Sequence, residues 1–465
     1  MTSSYNRRRF LQTATGAAAG LMILGNARSA RGYQANEKLN VAVIGIGGMG
    51  AVNLNLVAGT NVAIQPGYRI EAAGESEATG EHIVALCDVD ERGAAASAPG
   101  RRNPPGESFA RFPRAKRYRD YRKMLDAMDR QIDAVLVGTP DHIHAPASVA
   151  AMRQGKHVYC EKPGANSVFE ARVAAEVAAE QKVATQLGTQ MHATDNYRRI
   201  VELIRAGAIG EVREFHIWLR AGGGTSDRPA ETPPVPDGLH WDLFLGPVRH
   251  RPYHPTYVRG CGGNWQRWWD FGGGALGNMG CHYFDLAFWA LDLRHPVAVE
   301  AEGPPPHPET APGRLHLRYE FPARGNLPPA TLTWTHGSQP PPVFAENAFP
   351  DWAWGVFVGS EGMLLVSYPQ RMLWPEAKFA GYQPPEPSIP SSIGHHAEWI
   401  AACKTGGATG CPFGYSGPIS EAVMLGNVAY RSGARLEWDA AKLQATNAPE
   451  TDALLRREYR AGWTL

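Results

Sequence analysis

The stretch Asn40-Val-Ala-Val-Ile-Gly-Ile-Gly-Gly-Met-Gly50 constrains the fold of this chain more than any other. Residues 41–44 form a short apolar run rich in β-branched side chains, which predicts a buried strand. Gly45, Gly47 and Gly50 follow at G-x-G-x-x-G spacing. Glycine suits that spacing for three reasons: a tight turn, close approach of backbone to a pyrophosphate, and close packing of helix on strand. The helix that follows presents free N–H groups and the positive end of its dipole to the phosphates. The pattern predicts dinucleotide binding rather than a plain glycine turn.

The stretches that follow alternate strand and helix. A helix is expected at 51–58, and residues 59–81 read as a polar insertion. Residues 82–88 read as a second strand, ending at Asp88. A carboxylate there accepts hydrogen bonds from ribose hydroxyls and repels a 2′-phosphate, which favours NAD over NADP. Asp90 is the alternative acid, and a strand-end turn residue is the alternative role for Asp88. The spacing from Gly50 exceeds the usual interval of about 20 residues, which the insertion explains. Residues 100–113 read as a Pro/Arg-rich loop, 114–118 as a strand and 121–128 as a helix. Strands are expected at 132–138, 157–160 and 183–187, and helices at 147–154 and 169–180. Such alternation predicts a doubly wound parallel sheet whose ligand lies beyond the carboxyl ends of the strands. His144 and Lys162 both fall just past strand ends.

Composition sets outer bounds. The chain has 465 residues and a formal net charge of +1, so no charge excess points to nucleic acid or an anionic membrane. Six cysteines are present without a C-x-x-C pair, which argues against a zinc knuckle. Cys87 and Cys160 read as core residues, and a Cys403–Cys411 pair is left open. His144, Gln190 and His192 match no compact ligand motif, so no metal is expected. Asn6-Arg7-Arg8-Arg9-Phe10-Leu11-Gln12 resembles a twin-arginine signal and is followed by a small, apolar stretch at 14–24. That stretch is too short to span a bilayer. The expectation is export by the twin-arginine translocase to the periplasm or beyond, with no membrane anchor.

The glycine fingerprint, Thr139-Pro140-Asp141-His142-Ile143-His144 and Gly155-Lys-His-Val-Tyr-Cys-Glu-Lys-Pro163 together resemble the Gfo/Idh/MocA oxidoreductases. The resemblance continues through Arg205-Ala-Gly-Ala-Ile-Gly-Glu211 and Gly273-Gly-Ala-Leu-Gly-Asn-Met-Gly-Cys-His282. It implies a signal and linker at 1–36, a Rossmann domain at 37–187, and an α+β domain at 188–465 built on a large, open, mostly antiparallel sheet. It also implies homo-oligomers, and an exported subgroup that holds its nicotinamide cofactor tightly. The cofactor contacts it implies are Gly45, Gly47, Gly48, Met49, Gly50, Asp88, Thr139, Pro140, His144, Glu161 and Lys162.

Oxidising a secondary alcohol removes a hydride from carbon and a proton from oxygen, so the protein must place a base at the hydroxyl. The resemblance assigns that work to Lys162, whose pKa would fall when buried beside a cationic ring. It assigns His282 as an acid/base or hydroxyl ligand. Asn278 and His282 are four residues apart and share one face of an expected helix at 279–291. The family pattern has Asp where this chain has Asn278. An amide takes no proton, so Asn278 is left to hold a hydroxyl or to cap the helix. His144, Gln190 and His192 are further candidates for the crevice. Of Trp265, Trp268 and Trp269, Trp268 is carried as a stacking surface for a sugar, with core packing as the alternative.

The reading is an NAD-linked oxidoreductase acting on a sugar, glycoside or polyol. Two alternatives stand beside it: glycoside cleavage by transient oxidation and elimination, and an inactive cofactor-binding scaffold.

Overall fold

Five consecutive buried or nearly buried residues start the fold. Strand β1 (Asn40–Ile44) lies in the middle of a six-stranded sheet with β2 (His82–Cys87), β3 (Lys116–Tyr118), β4 (Ala134–Val137), β5 (His157–Cys160) and β6 (Thr185–Leu187). The computed structural model describes residues 37–60, 79–92, 103–258 and 265–465. The expected leader at 1–36, most of the insertion at 59–81, and Cys261 lie outside the described residues. The strand order is β3-β2-β1-β4-β5-β6, and every pair is parallel. All four residues of β4 are buried, as a parallel strand covered by helices on both faces requires. The covering helices are α1 (Gly48–Ala58), α2 (Tyr121–Met128), α3 (Asp141–Arg153) and α4 (Val168–Gln181). The order reverses between β1 and β4, which opens a crevice at the carboxyl ends of those strands.

The second layer is a nine-stranded sheet: β7 (Val212–Leu219), β8 (Ala298–Glu302), β9 (Leu315–Phe321), β10 (Ala330–His336), β11 (Gly355–Gly359), β12 (Gly362–Val366), β13 (Arg371–Trp374), β14 (Leu436–Asp439) and β15 (Gln444–Ala445). Its order is β13-β12-β11-β7-β10-β9-β8-β14-β15, antiparallel throughout except for β7 beside β10. Burial alternates residue by residue along β9, so one face packs and the other does not. The packed face meets α6 (Gly274–Leu291) through Phe284 against Tyr319 and Phe288 against Phe321. Helix α5 (Asp195–Arg205) shares this core, as does α8 (Phe413–Ser432). Gly426 of α8 sits where an added Cβ would lie 2.0 Å from the Tyr319 hydroxyl, so only glycine lets helix and sheet approach this closely. No described helix is long and apolar enough to cross a membrane.

Two late segments return to the first layer. Helix α7 (His395–Thr405) places Trp399, Ile400 and Cys403 in the same buried cluster as Val41, Val43 and Leu54. The tail reaches Tyr121 with Trp463, ring centroids 6.1 Å apart, while the Arg122 side chain donates to Gly462 O at 2.8 Å.

Several expectations need correction. Residues 105–111, read as loop, form a short helix because Pro105 opens it, where a missing N–H costs nothing. Helix α3 begins at Asp141 rather than 147, so His144 stands in its first turns and not in a strand-end loop. Helix α6 begins at Gly274 rather than 279, with Gly273 as its N-cap; Asn278 is inside the helix and does not cap it. The pairing left open for Cys403 and Cys411 is not made: both are free and buried.

Candidate active site

The turn after β1 is shaped by contacts that admit no side chain. Gly45 has φ +79°, and a Cβ there would lie 2.7 Å from the Gly138 and Thr139 backbone. At Gly50 a Cβ would lie 1.9 Å from Gly45 O. The turn and the start of α1 therefore nest directly against the chain leaving β4. Asn103 O accepts the Gly48 N–H at 3.1 Å.

A large cavity opens from this turn along the carboxyl ends of the strands. Gly45, Gly47, Gly48, Met49, Asp88, Thr139, Pro140, His144, Glu161 and Lys162 line it. Of the expected cofactor contacts, Gly50 stands behind this surface, in the packing of helix on strand. Asp88 accepts the Ile46 N–H at 2.9 Å and the Asp90 N–H at 2.9 Å, one on each oxygen. The backbone of the turn thus fixes this carboxylate at the cavity edge. Asp90 is held by Arg92 through two bonds of 2.7 and 2.8 Å.

At the other end of the cavity Lys162 follows β5. Its Nζ donates to Asn278 O at 2.7 Å and to Asn278 Oδ1 at 2.9 Å. Oδ1 also accepts from Gln266 Nε2 at 2.8 Å. With two nitrogens donating to it, the Asn278 side chain presents its oxygen here. His282, one turn along α6, is not on the cavity surface; its Nδ1 is buried without a partner. Burial, then the Lys162 charge, pushes the His282 imidazole well below its ordinary value, so the ring is neutral.

His144 donates from Nε2 to Thr139 O at 2.8 Å. A carbonyl only accepts, so the proton sits on Nε2 and Nδ1 carries the lone pair. Burial lowers this imidazole to about 3. Beside it Asp141 is buried, and burial followed by the Glu161 charge pushes its carboxyl up to about 8 against the opposing pull of Lys162.

Glu161 belongs to a buried network. Its Oε1 accepts from Asn53 at 2.8 Å and from Gln190 at 2.9 Å, while Gln190 also donates to the Tyr159 hydroxyl at 2.9 Å. His396 meets Asn53 Oδ1 at 3.0 Å. Gln190, expected in the crevice, is thus spent on holding Glu161. His192 also turns away: its Nδ1 meets Asp285 at 2.9 Å and its ring stacks on Trp289 with centroids 4.0 Å apart. Cys411 lies within ligand-pair distance of both, but its sulfur already accepts from Thr189 at 3.1 Å. Trp268, expected to face a sugar, is 1% exposed and packs edge-on against Tyr257 at 5.0 Å. Trp265 and Gln266 line the cavity instead.

Sequence reasoning passed over Asp141, Gln266 and Trp463 as site residues, and of the three candidate tryptophans it carried Trp268 where Trp265 lines the cavity. For Asp141 a signal existed, since it lies inside the Thr139–His144 motif. Trp463 carried no local signal, because its role depends on a fold-back from the far end of the chain.

The cavity fits a dinucleotide. The glycine turn packs backbone on backbone and brings the start of α1 to the cavity edge. Thr139 Oγ1 and His144 Nδ1 are buried, belong to residues lining the cavity and lack protein partners, as polar atoms awaiting a ligand would. Gly45, Gly47, Gly48, Met49 and Asp88 would hold the phosphate and ribose end.

Comparison with known proteins agrees. A family model described as an oxidoreductase family's NAD-binding Rossmann fold matches residues 39–189, and one for that family's C-terminal alpha/beta domain matches residues 211–324. Together they cover more than half of the chain. Inositol 2-dehydrogenase of Salmonella paratyphi B is 26% identical over 181 residues, 38% of this chain and 45% of that protein. The match therefore spans less than half the length of this curated relative. Among solved structures, an NAD-binding protein from Listeria innocua superposes with a TM-score of 0.55 at 16% identity, covering 86% of this chain and 97% of the other. The WlbA dehydrogenase of Bordetella pertussis, solved with NADH and UDP-GlcNAcA, has a TM-score of 0.55 at 15% identity, covering 87% and 99%. Likeness at that identity speaks for the fold.

Proposed function

The chain belongs to the Gfo/Idh/MocA family of oxidoreductases, and from that premise we propose that it oxidises a secondary alcohol of a sugar, glycoside or polyol with NAD. The observation that carries this reading is Lys162 Nζ, held by Asn278 on the wall of a cavity that begins at the glycine turn. The bound nicotinamide would supply the hydride acceptor. Lys162 takes the hydroxyl proton, Asn278 and Gln266 aim the amine, and the Asp141–His144 turn flanks it. Relatives named inositol 2-dehydrogenase and levoglucosan dehydrogenase support a hydroxylated ring as the substrate class. Asp88 supports NAD over NADP, and Arg119, a cation on the cavity wall, is paired with Glu91 at 3.0 Å.

Export belongs to the same proposal, resting on Arg7-Arg8-Arg9-Phe10-Leu11 and the short apolar stretch behind it. So does assembly into homo-oligomers. Fractionation of cells expressing the full chain, with and without Arg7 and Arg8 changed to Lys, tests export; size measurement in solution tests assembly.

The test of function is to load the protein with NAD, add a panel of sugars, glycosides and polyols, and follow reduced-nicotinamide absorbance with product analysis. A keto product supports the reading. A released aglycone without net reduction would replace it with cleavage by transient oxidation. No change with any substrate, while NADH still binds, would leave a cofactor-binding scaffold.

A further inference from the structure

Asn278 leaves the site with a proton to place and an amide that cannot take it. Lys162 accepts the alcohol proton, becomes an ammonium held on Asn278 O and Oδ1, and must lose that proton before the next turnover. Two carboxyls beside it line the cavity, Glu161 and Asp141. Glu161 is engaged: one oxygen accepts from both Asn53 and Gln190, and its carboxyl lies against Gly188, where a Cβ would stand 2.8 Å away. Asp141 differs. Its Oδ2 is buried and has no hydrogen-bond partner. A Cβ on Gly272 would stand 3.1 Å from that oxygen and one on Gly277 3.9 Å from it. Gly277 precedes Asn278, so the free oxygen lies against the same turn of chain that holds the lysine.

We propose that Asp141 is the proton-accepting carboxyl for Lys162, doing the work that Asn278 cannot. This rests on the alcohol-oxidising reading. The step balances. A bound oxidised nicotinamide would accept the hydride from the substrate C–H, while the O–H proton passes to the Lys162 amine and the C=O bond forms. The Lys162 ammonium then gives its proton, through water in the cavity that both groups line, to the Asp141 carboxylate, which releases it to solvent.

The surroundings agree. The ionisable groups that act on Asp141 are Lys162 and Glu161, while the thiols of Cys160 and Cys281 feel its charge. Burial holds both thiols protonated, Cys281 at about 12 and Cys160 higher still. The Gly273 N–H steadies the ionised form of Asp141. With its carboxyl at about 8, Asp141 is mostly neutral at pH 7 and ionises as pH rises. An acceptor must be ionised, so alcohol oxidation speeds up as pH rises through about 8, and carbonyl reduction slows over the same range.

The experiment compares wild type with Asp141→Asn, loaded with NAD. We expect NADH binding, read by tryptophan fluorescence, to persist in the variant. We expect kcat for oxidation to fall roughly 100-fold, the low end for loss of a positioned proton acceptor, and the limb near pH 8 to vanish. Infrared spectra of the wild type should show a protonated carboxyl band at pH 7 that fades as pH rises through about 8 and is absent from the variant. A variant that keeps the rate and the pH limb overturns the proposal. If the variant does not fold, absence of that band from the wild type overturns it. If the wild type oxidises no sugar or polyol while binding NADH, the functional reading fails, and the infrared band still decides whether Asp141 holds a proton.

Discussion

Lys162 Nζ and Asn278 join the two layers of the molecule: the amine at the end of β5 donates to both oxygens of a residue on α6, at 2.7 and 2.9 Å. The first layer supplies the base and the second aims it. A rigid mount of this kind matters because a catalytic amine acts only where the substrate hydroxyl is presented.

Replacing Lys162 with Met should lower kcat by about 10²- to 10⁴-fold, the range for removing a positioned acid/base. NADH should still bind, as measured by fluorescence titration. Full turnover by this variant would exclude the amine as the base.

Asn278→Ala keeps the backbone acceptor and removes Oδ1, which also frees Gln266. A hydrogen bond to a charged group contributes about 1.5–3 kcal/mol, so kcat/KM should fall roughly 10- to 100-fold. Asn278→Asp, which restores an ionisable oxygen, should retain more activity than the alanine variant in the same assay.

Gly50→Ala forces a methyl onto Gly45 O, 1.9 Å from the built Cβ. The turn must open, so the variant should lose NADH binding and unfold at lower temperature, at a cost of about 1–3 kcal/mol for overpacking. Calorimetry with and without NADH separates the two effects: wild type gains stability from the ligand and the variant does not.

Acid should destabilise the fold through its buried imidazoles. Burial lowers His142, His144 and His396 to about 3, and His157 and His395 to about 4. Each binds a proton near pH ~6.5 when unfolded. Their contribution is full above that value and falls as pH drops toward the folded-state values, by up to about 1.4 kcal/mol per pH unit for each ring. Urea unfolding near neutrality and again in mild acid measures this, and His142→Asn should flatten the slope by about one proton.

The first layer was legible because its signals are local. Glycine spacing, apolar runs and the expected helix over 121–128 each report on a few neighbours, and the αβ alternation follows from them. Element starts were less legible. Gly272-Gly273-Gly274 reads as loop, yet the helix begins within it because the Asn427 side chain donates to Gly273 O and holds it in place. Pro146 hid the first turns of α3. Its ring nitrogen has no proton to offer His142 O, four residues back, and the Arg457 guanidinium reaches that carbonyl instead at 3.5 Å.

The candidate site divides in the same way. Lys162 stood out because strand-end residues face a crevice. Gln190, His192 and Trp268 were misplaced because sequence does not say which side chains a distant element will claim: Asp285 takes His192, and Glu161 takes Gln190. Asp141 went unnoticed because a carboxyl beside a proline reads as turn chemistry until its burial is known.

Trp463 also shapes what can be built from this protein. Its ring lines the nucleotide cavity against Tyr121, with Arg122 3.9 Å from its centre. An excised fragment ending after β6 would keep the glycine turn yet lack a wall of its own binding cleft. Such a fragment is therefore expected to hold the nucleotide less well than the whole chain does, because the Trp463 ring is missing from its wall.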